Sequence, residues 1–258
     1  MYIGSNDPFD DGSEACDRGA WRATSRGGFW SFEDPRPRDV HIADIAAGLS
    51  RICRYGGQIR EEVDFYSVAE HSTVMMMEFW QRGIVKTADD ALMVLLHDGS
   101  EAYVGDMITP QKKITPEHKV IENRSQAAVN TAFGIDSEYV TITYDQLKAQ
   151  DSAILLTERD ILIPEPASTR TKEELWGDDP SLTALPVIIR GQEPREAREN
   201  FLKTMIFSLE RLPILNPELQ EAAPKICEDC REALAKLNRV RERRAEREMR
   251  MEAGYEPA

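Results

Sequence analysis

The run Ala91-Leu92-Met93-Val94-Leu95-Leu96 ends in His97-Asp98. The run is apolar on every side, so its helix must be central and buried rather than laid on a surface. An aspartate at the end of such a helix is expensive unless it is paired or bound to a cation. Adjacent helical residues point about 100° apart, so one ion beside the axis is within reach of both His97 and Asp98. Any fold of this chain must therefore bury a helix whose end carries chemistry.

The 258 residues suffice for a sizeable core. Helical periodicity recurs along most of the chain. Asp39 or His41 opens a helix with apolar positions from Ile42 to Cys53, ended by Gly56-Gly57. Ser67 is an N-cap with Glu70 placed for a capping box, and that helix runs to about Gly83. Thr87 starts the apolar helix, with Asp89 and Asp90 in its first turn where they suit the dipole. A loop follows over 104–116, then helices over 117–133, 144–162, 195–211 and 217–250. Residues 163–194, with five prolines and a Gly-Asp-Asp turn, read as a loop excursion. The expectation is an all-α fold in three parts. Residues 1–30 form a loosely ordered arm, 31–212 the main helical domain, and 213–258 a charged helical extension.

A net charge of −14 argues against a nucleic-acid polymer as partner but not against small phosphorylated substrates. No apolar run is long enough to span a membrane, and Met1–Asp10 lacks a secretory layout, so a cytoplasmic setting is expected. Cys227-Glu-Asp-Cys230 has no second pair at zinc-ribbon spacing and reads as reduced thiols in a helix. The Arg/Glu-rich tail reads as a solvated helix, with a partner helix or homo-oligomer left open.

There are four histidines. His41 and His118 each begin a helix and read as cap-proximal. His71 lies in a second core helix; a mixed N/O shell of His71, His97, Asp98 and an aspartate from a third helix suits Mn, Co, Zn, Fe or Ni rather than calcium. Asp151 is preferred over Asp145, Glu158 and Asp160 for that place, because it precedes the apolar run Ala153-Ile154-Leu155-Leu156. Taken singly, each histidine would more often be a core residue than a ligand; the His-Asp pair shifts the balance. Glu101, three residues after Asp98, shares its face if the helix persists.

Tyr66-Ser-Val-Ala-Glu-His71-Ser, then Leu95-Leu-His97-Asp98-Gly-Ser-Glu101-Ala-Tyr-Val-Gly-Asp106, then Thr109-Pro-Gln-Lys112, resemble the HD-domain phosphohydrolases. The nearest branch is that of bacterial 5′-deoxynucleotidases and phage-type dNTP triphosphohydrolases. The block 39–57 resembles that branch's entry helix, and 145–160 its late aspartate helix. The resemblance spans about residues 30–210 and implies an HD-type helical bundle. It implies one divalent transition metal on His71, His97, Asp98 and Asp151, and Glu101 as the residue that orients or deprotonates the attacking water. Asp106 would stand beside the substrate's phosphate and sugar. Arg54 and Lys112, with Lys113 as a second lysine, would contact phosphate, and Tyr55 would flank sugar or base. Gly99 stands where the family usually has Ala, and the Arg54–His71 spacing is longer than in the nucleotidase branch.

The implied activity is hydrolysis of phosphate from a (deoxy)nucleotide, as a 5′-deoxynucleotidase or a dNTP triphosphohydrolase, with dATP-directed cleavage and a phage-encoded origin among the readings. A divalent cation would neutralise phosphoryl charge and activate water, while Arg54 and Lys112 would offset charge on the phosphoryl oxygens. The rival from another class is a non-catalytic nucleotide-sensing or scaffold protein. Trp176, in the long loop, is placed to act as a lid or as a loop anchor.

Overall fold

The computed structural model describes residues 17–135, 138–176 and 181–252. The first part of the expected arm, with Cys16, and the Gly-Asp-Asp turn at 177–179 lie outside the described residues. The fold is mostly helical, and its one sheet among the described residues is a two-stranded antiparallel hairpin, β1 (Trp21–Ala23) and β2 (Phe29–Ser31). The helices are α1 (Ile42–Leu49), α2 (Val68–Gln81), α3 (Ala88–Leu95), α4 (Glu101–Val104), α5 (Thr109–Lys112), α6 (Pro116–Phe133), α7 (Tyr144–Leu162), α8 (Lys172–Trp176), α9 (Pro194–Arg211) and α10 (Pro217–Glu252). No helix is long and apolar enough to cross a membrane.

The centre is built from α1, α2, α3 and α9, with α10 laid across α1 and α9. As its composition requires, α3 is deeply buried: Ala91, Leu92, Val94 and Leu95 have no exposed surface. Thr87 caps it by accepting from the Asp90 amide at 3.0 Å. The two first-turn aspartates do more than complement the dipole. Asp89 accepts from the amides of Leu215 and Asn216 at 2.9 and 3.2 Å, and Asp90 accepts from the Thr141 amide at 2.7 Å. The start of α3 thereby holds the segments leading into α10 and α7.

Ser67 accepts from the Glu70 amide as an N-cap should, but Glu70 does not close the expected box. Its buried carboxylate takes the amides of Arg190 and Gln192 at 2.8 and 2.6 Å, fastening the end of the long loop to the start of α2. The first helix is shorter than its periodicity suggests: α1 stops at Leu49, leaving Ile52 and Cys53 outside it. Cys53 instead bridges to Ser67, and a tight turn follows over Arg54–Gly57.

Two expected boundaries do not mark a change in packing. Residues 17–30, assigned to the loose arm, include the hairpin, whose Trp30 is fully buried and stacks on Tyr103 at 3.8 Å between ring centroids. Period-2 alternation cannot announce strands of three residues. The extension assigned to 213–258 enters the same core through Leu219, Ile226, Cys227, Cys230 and Ala233. Only its later, Arg/Glu-rich part is solvated, as read from the sequence. The CxxC thiols are free and buried.

Candidate metal centre

Three helical segments converge on one point. His71 is the fourth residue of α2, His97 and Asp98 follow α3, and Asp151 lies on α7. The helix bearing the His-Asp pair does not persist as expected: it ends at Leu95, with Leu96 as its C-cap at φ −107° and ψ 12°. His97–Ser100 form a turn, and the Glu101 amide donates to the Asp98 carbonyl at 3.0 Å. That turn keeps the three-residue offset and starts α4 at Glu101. Gly99 packs tightly there: a Cβ would lie 3.0 Å from the Leu96 carbonyl oxygen and from a methyl of Val129 on α6, so an alanine would require small shifts of those neighbours.

The donor atoms are close together. His71 Nε2 lies 3.3 Å from His97 Nε2 and 3.3 Å from Asp151 Oδ1. Asp98 Oδ2 lies 3.2 Å from His97 Nε2 and 3.9 Å from His71 Nε2. Ligands about 2.1 Å from a shared tetrahedral ion stand roughly 3.4 Å apart, so the spacing fits one divalent transition metal.

The hydrogen bonds on the far sides of the rings agree. His97 Nδ1 is 2.8 Å from the Val94 carbonyl, which can only accept, so Nδ1 carries the proton. His71 Nδ1 is 2.5 Å from Glu158 Oε1, a carboxylate that fixes the same tautomer. With both Nδ1 atoms so engaged, the two rings turn their Nε2 atoms toward each other and toward the aspartates, where a proton or a bound cation can sit between them.

The electrostatics favour positive charge at this point. Burial and Arg54 push His71 down, but Glu158 and Asp151 outweigh them and raise it to about 9. Burial likewise opposes charge on His97, and the Asp98 carboxylate raises it nonetheless. Asp98 and Asp151 are held below the usual carboxylate range against their burial, Asp98 chiefly by His97 and Asp151 chiefly by His71. The side chains of Asp98 and Asp151 keep 25% and 39% of their surface while His71 has none, so the cluster opens on its carboxylate side.

Glu158 is the residue that sequence reasoning passed over. It is fully buried on α7, seven residues after Asp151 and so about two turns along the same face. Oε1 also accepts from the Tyr66 hydroxyl at 2.7 Å. Oε2 accepts from the Tyr55 hydroxyl at 2.7 Å and from Arg54 Nε at 3.2 Å. Burial opposes its ionisation, yet Arg54 and His71 hold it down at about 2. That spacing, together with its place just after an apolar run, was the signal available.

Arg54 reaches the cluster, with Nη1 3.5 Å from Asp98 Oδ2. Tyr55 sits in the left-handed region at φ 60°, the one non-glycine residue there among those described, a conformation that costs about 1–3 kcal/mol. Its ring centroid lies 6.0 Å from that of Trp176, at the end of α8.

Glu101 is buried, and its Oε2 has no hydrogen-bond partner. Burial, then Asp98 and Asp106, raise its pKa well above the usual value. Burial also raises half-buried Asp106, with Arg54 and Lys112 opposing and Asp98 assisting. Lys112 Nζ is 3.7 Å from Glu101 Oε1 but is held more closely by Glu122 at 2.6 Å. Lys113 is exposed, and among the described residues no ion pair joins it to these carboxylates. His41 caps α1 by accepting from the Ala43 amide and faces Asp229, away from the cluster.

Fold and site together define a mainly helical protein with a partly buried cluster of His71, His97 and Asp151 that could hold a metal ion, with Asp98 against His97. No protein-family profile matches the chain. An uncharacterized protein of Rhodobacter capsulatus is 31% identical over 184 residues, covering 70% of this chain and 92% of that relative. The uncharacterized protein YfdR of Escherichia coli is 31% identical over 136 residues, covering 53% of this chain and 68% of that relative. The chain belongs to the family these two proteins represent.

Proposed function

We propose that the chain is a phosphohydrolase of the HD-domain type, acting on nucleotides with one divalent transition metal held by His71, His97, Asp98 and Asp151. The observation that carries this reading is the meeting of His71, His97 and Asp151, with Asp98 against His97, beside a buried glutamate with an unpartnered oxygen. A bound divalent ion supplies charge neutralisation and an activated water.

The remaining work falls to side chains. Glu101 has a raised affinity for protons, which suits a group that must take one from the attacking water. Arg54 offers a fixed cation for the phosphoryl oxygens, held in place by Glu158. Lys112 offsets charge on the Glu101 side, and Asp106 stands ready for a sugar hydroxyl. Tyr55 and Trp176 form an aromatic pair suited to flank a base or sugar.

The test offers each dNMP and dNTP to the purified protein with Mn or Co, following release of phosphate and triphosphate separately. Turnover of at least one nucleotide is expected, falling about 10²–10⁴-fold in Glu101→Gln. Absence of turnover across the whole panel, or full activity in that variant, contradicts the proposal.

A further inference from the structure

A second cavity, of about 430 Å³, opens between the hairpin, α1 and α4. Arg22 and Arg51 line it, with the hydroxyl-bearing Thr24 and Ser25. Asp44 is the sole carboxylate among its described lining residues, and it is already engaged: Oδ1 accepts from the Ser25 hydroxyl at 2.7 Å and from the Arg26 amide at 2.9 Å. Against the same face of α1 stands Arg198 from α9. Its Nη2 makes one long bond, 3.4 Å to the Ala43 carbonyl, and its Nε is buried with no partner. Burial and the charge of Arg51 both disfavour the Arg198 cation, and Asp44 only partly offsets them. In a chain with a net charge of −14, two arginines lining a cavity whose one carboxylate is already engaged make a local reversal of sign.

We propose that this cavity binds the phosphate groups of a polyphosphate. Guanidinium groups pair with phosphate oxygens through two parallel N–H donors, and the Thr24 hydroxyl, buried and without a hydrogen-bond partner, adds a neutral donor. An anion there would offset the positive charges of Arg22 and Arg51. The cavity's position gives such a ligand a connection to the metal cluster. Its wall includes Ile52, two residues before Arg54, and Gly105, immediately before Asp106. The helices forming it are tightly coupled, since a Cβ on Gly48 of α1 would lie 2.7 Å from the Ala102 backbone of α4. The polyphosphate has two sources: the far end of a nucleotide whose first phosphate lies at the metal cluster, or a separate molecule. The site does not depend on hydrolysis at that cluster.

Inorganic tripolyphosphate, titrated calorimetrically into the full chain in metal-free buffer, tests the proposal. Binding is expected in wild type, weaker by about tenfold or more in Arg22→Ala/Arg51→Ala. Arg51→Glu, a change at an exposed position, should do the same, with circular dichroism confirming an intact fold. His97→Ala should retain the binding, so failure of the metal cluster is read separately from failure of this site. Competition by dATP assigns the cavity to a nucleotide's far phosphates, and binding unaffected by dATP assigns it to a separate polyphosphate. Either result supports the site. No binding by wild type, equal binding by the arginine variants, or its loss in His97→Ala overturns it.

Discussion

At the scale of single residues, the centre depends on groups that never face the open cleft. Glu158 holds His71, Arg54, Tyr55 and Tyr66 with its two oxygens. Substitution Glu158→Gln keeps its shape but removes the charge that fixes the His71 tautomer. Affinity for Mn or Zn should fall about 10–100-fold, measured by competition with a chromogenic chelator; an unchanged affinity would rule out the positioning role. Glu101 gives a pH signature in metal-free protein. Its folded pKa is raised, so its contribution to stability is complete below the ordinary carboxyl value and is lost as pH rises through the raised one. A glutamine cannot ionise. Glu101→Gln should therefore gain stability relative to wild type as pH rises above the ordinary carboxyl range, read from urea midpoints. A difference that shrinks with rising pH would contradict the account. His97 and Asp98 were legible from sequence because an apolar helix ending in a charged pair needs a reason. Glu158 was weighed only as an alternative to Asp151, because the sequence does not show that its carboxylate is buried against His71, Arg54 and two tyrosines.

At the scale of elements, each approach to the centre is fixed by a device suited to its local sequence. The long loop returns to α2 through the Glu70 carboxylate, α3 fixes its neighbours through Asp89 and Asp90, and Tyr55 accepts a left-handed conformation so that its hydroxyl meets Glu158. The hairpin is held to α4 by the Trp30–Tyr103 stack and by Arg22 Nη1 donating to the Tyr103 carbonyl at 2.7 Å. Trp30→Ala should cost about 3–5 kcal/mol, measured by denaturant unfolding; a change within about 0.5 kcal/mol would show that the hairpin is peripheral. Helices were legible wherever apolar spacing ran for three turns or more, as in α6, α7 and α9. The hairpin and the end of α3 were not, because both are set by tertiary contacts: a stacked tryptophan, and a turn whose Gly99 packs close to Val129.

Across the whole molecule, the arrangement is a helical core in which α2, the end of α3 and α7 each bring candidate ligands to one point. The start of α10 closes that core through Leu219, Ile226 and Cys230. Its later, Arg/Glu-rich part, seen as a charged tail in the sequence, projects into solvent. The cluster is proposed to bind one metal ion. Metal titration of the stripped protein, read by calorimetry with the ion content confirmed by elemental analysis, tests it most directly. One Mn or Zn per chain is expected in wild type, retained in Glu101→Gln and abolished in His97→Ala. A wild type that takes up no ion, or a His97→Ala variant that binds as wild type does, would contradict it.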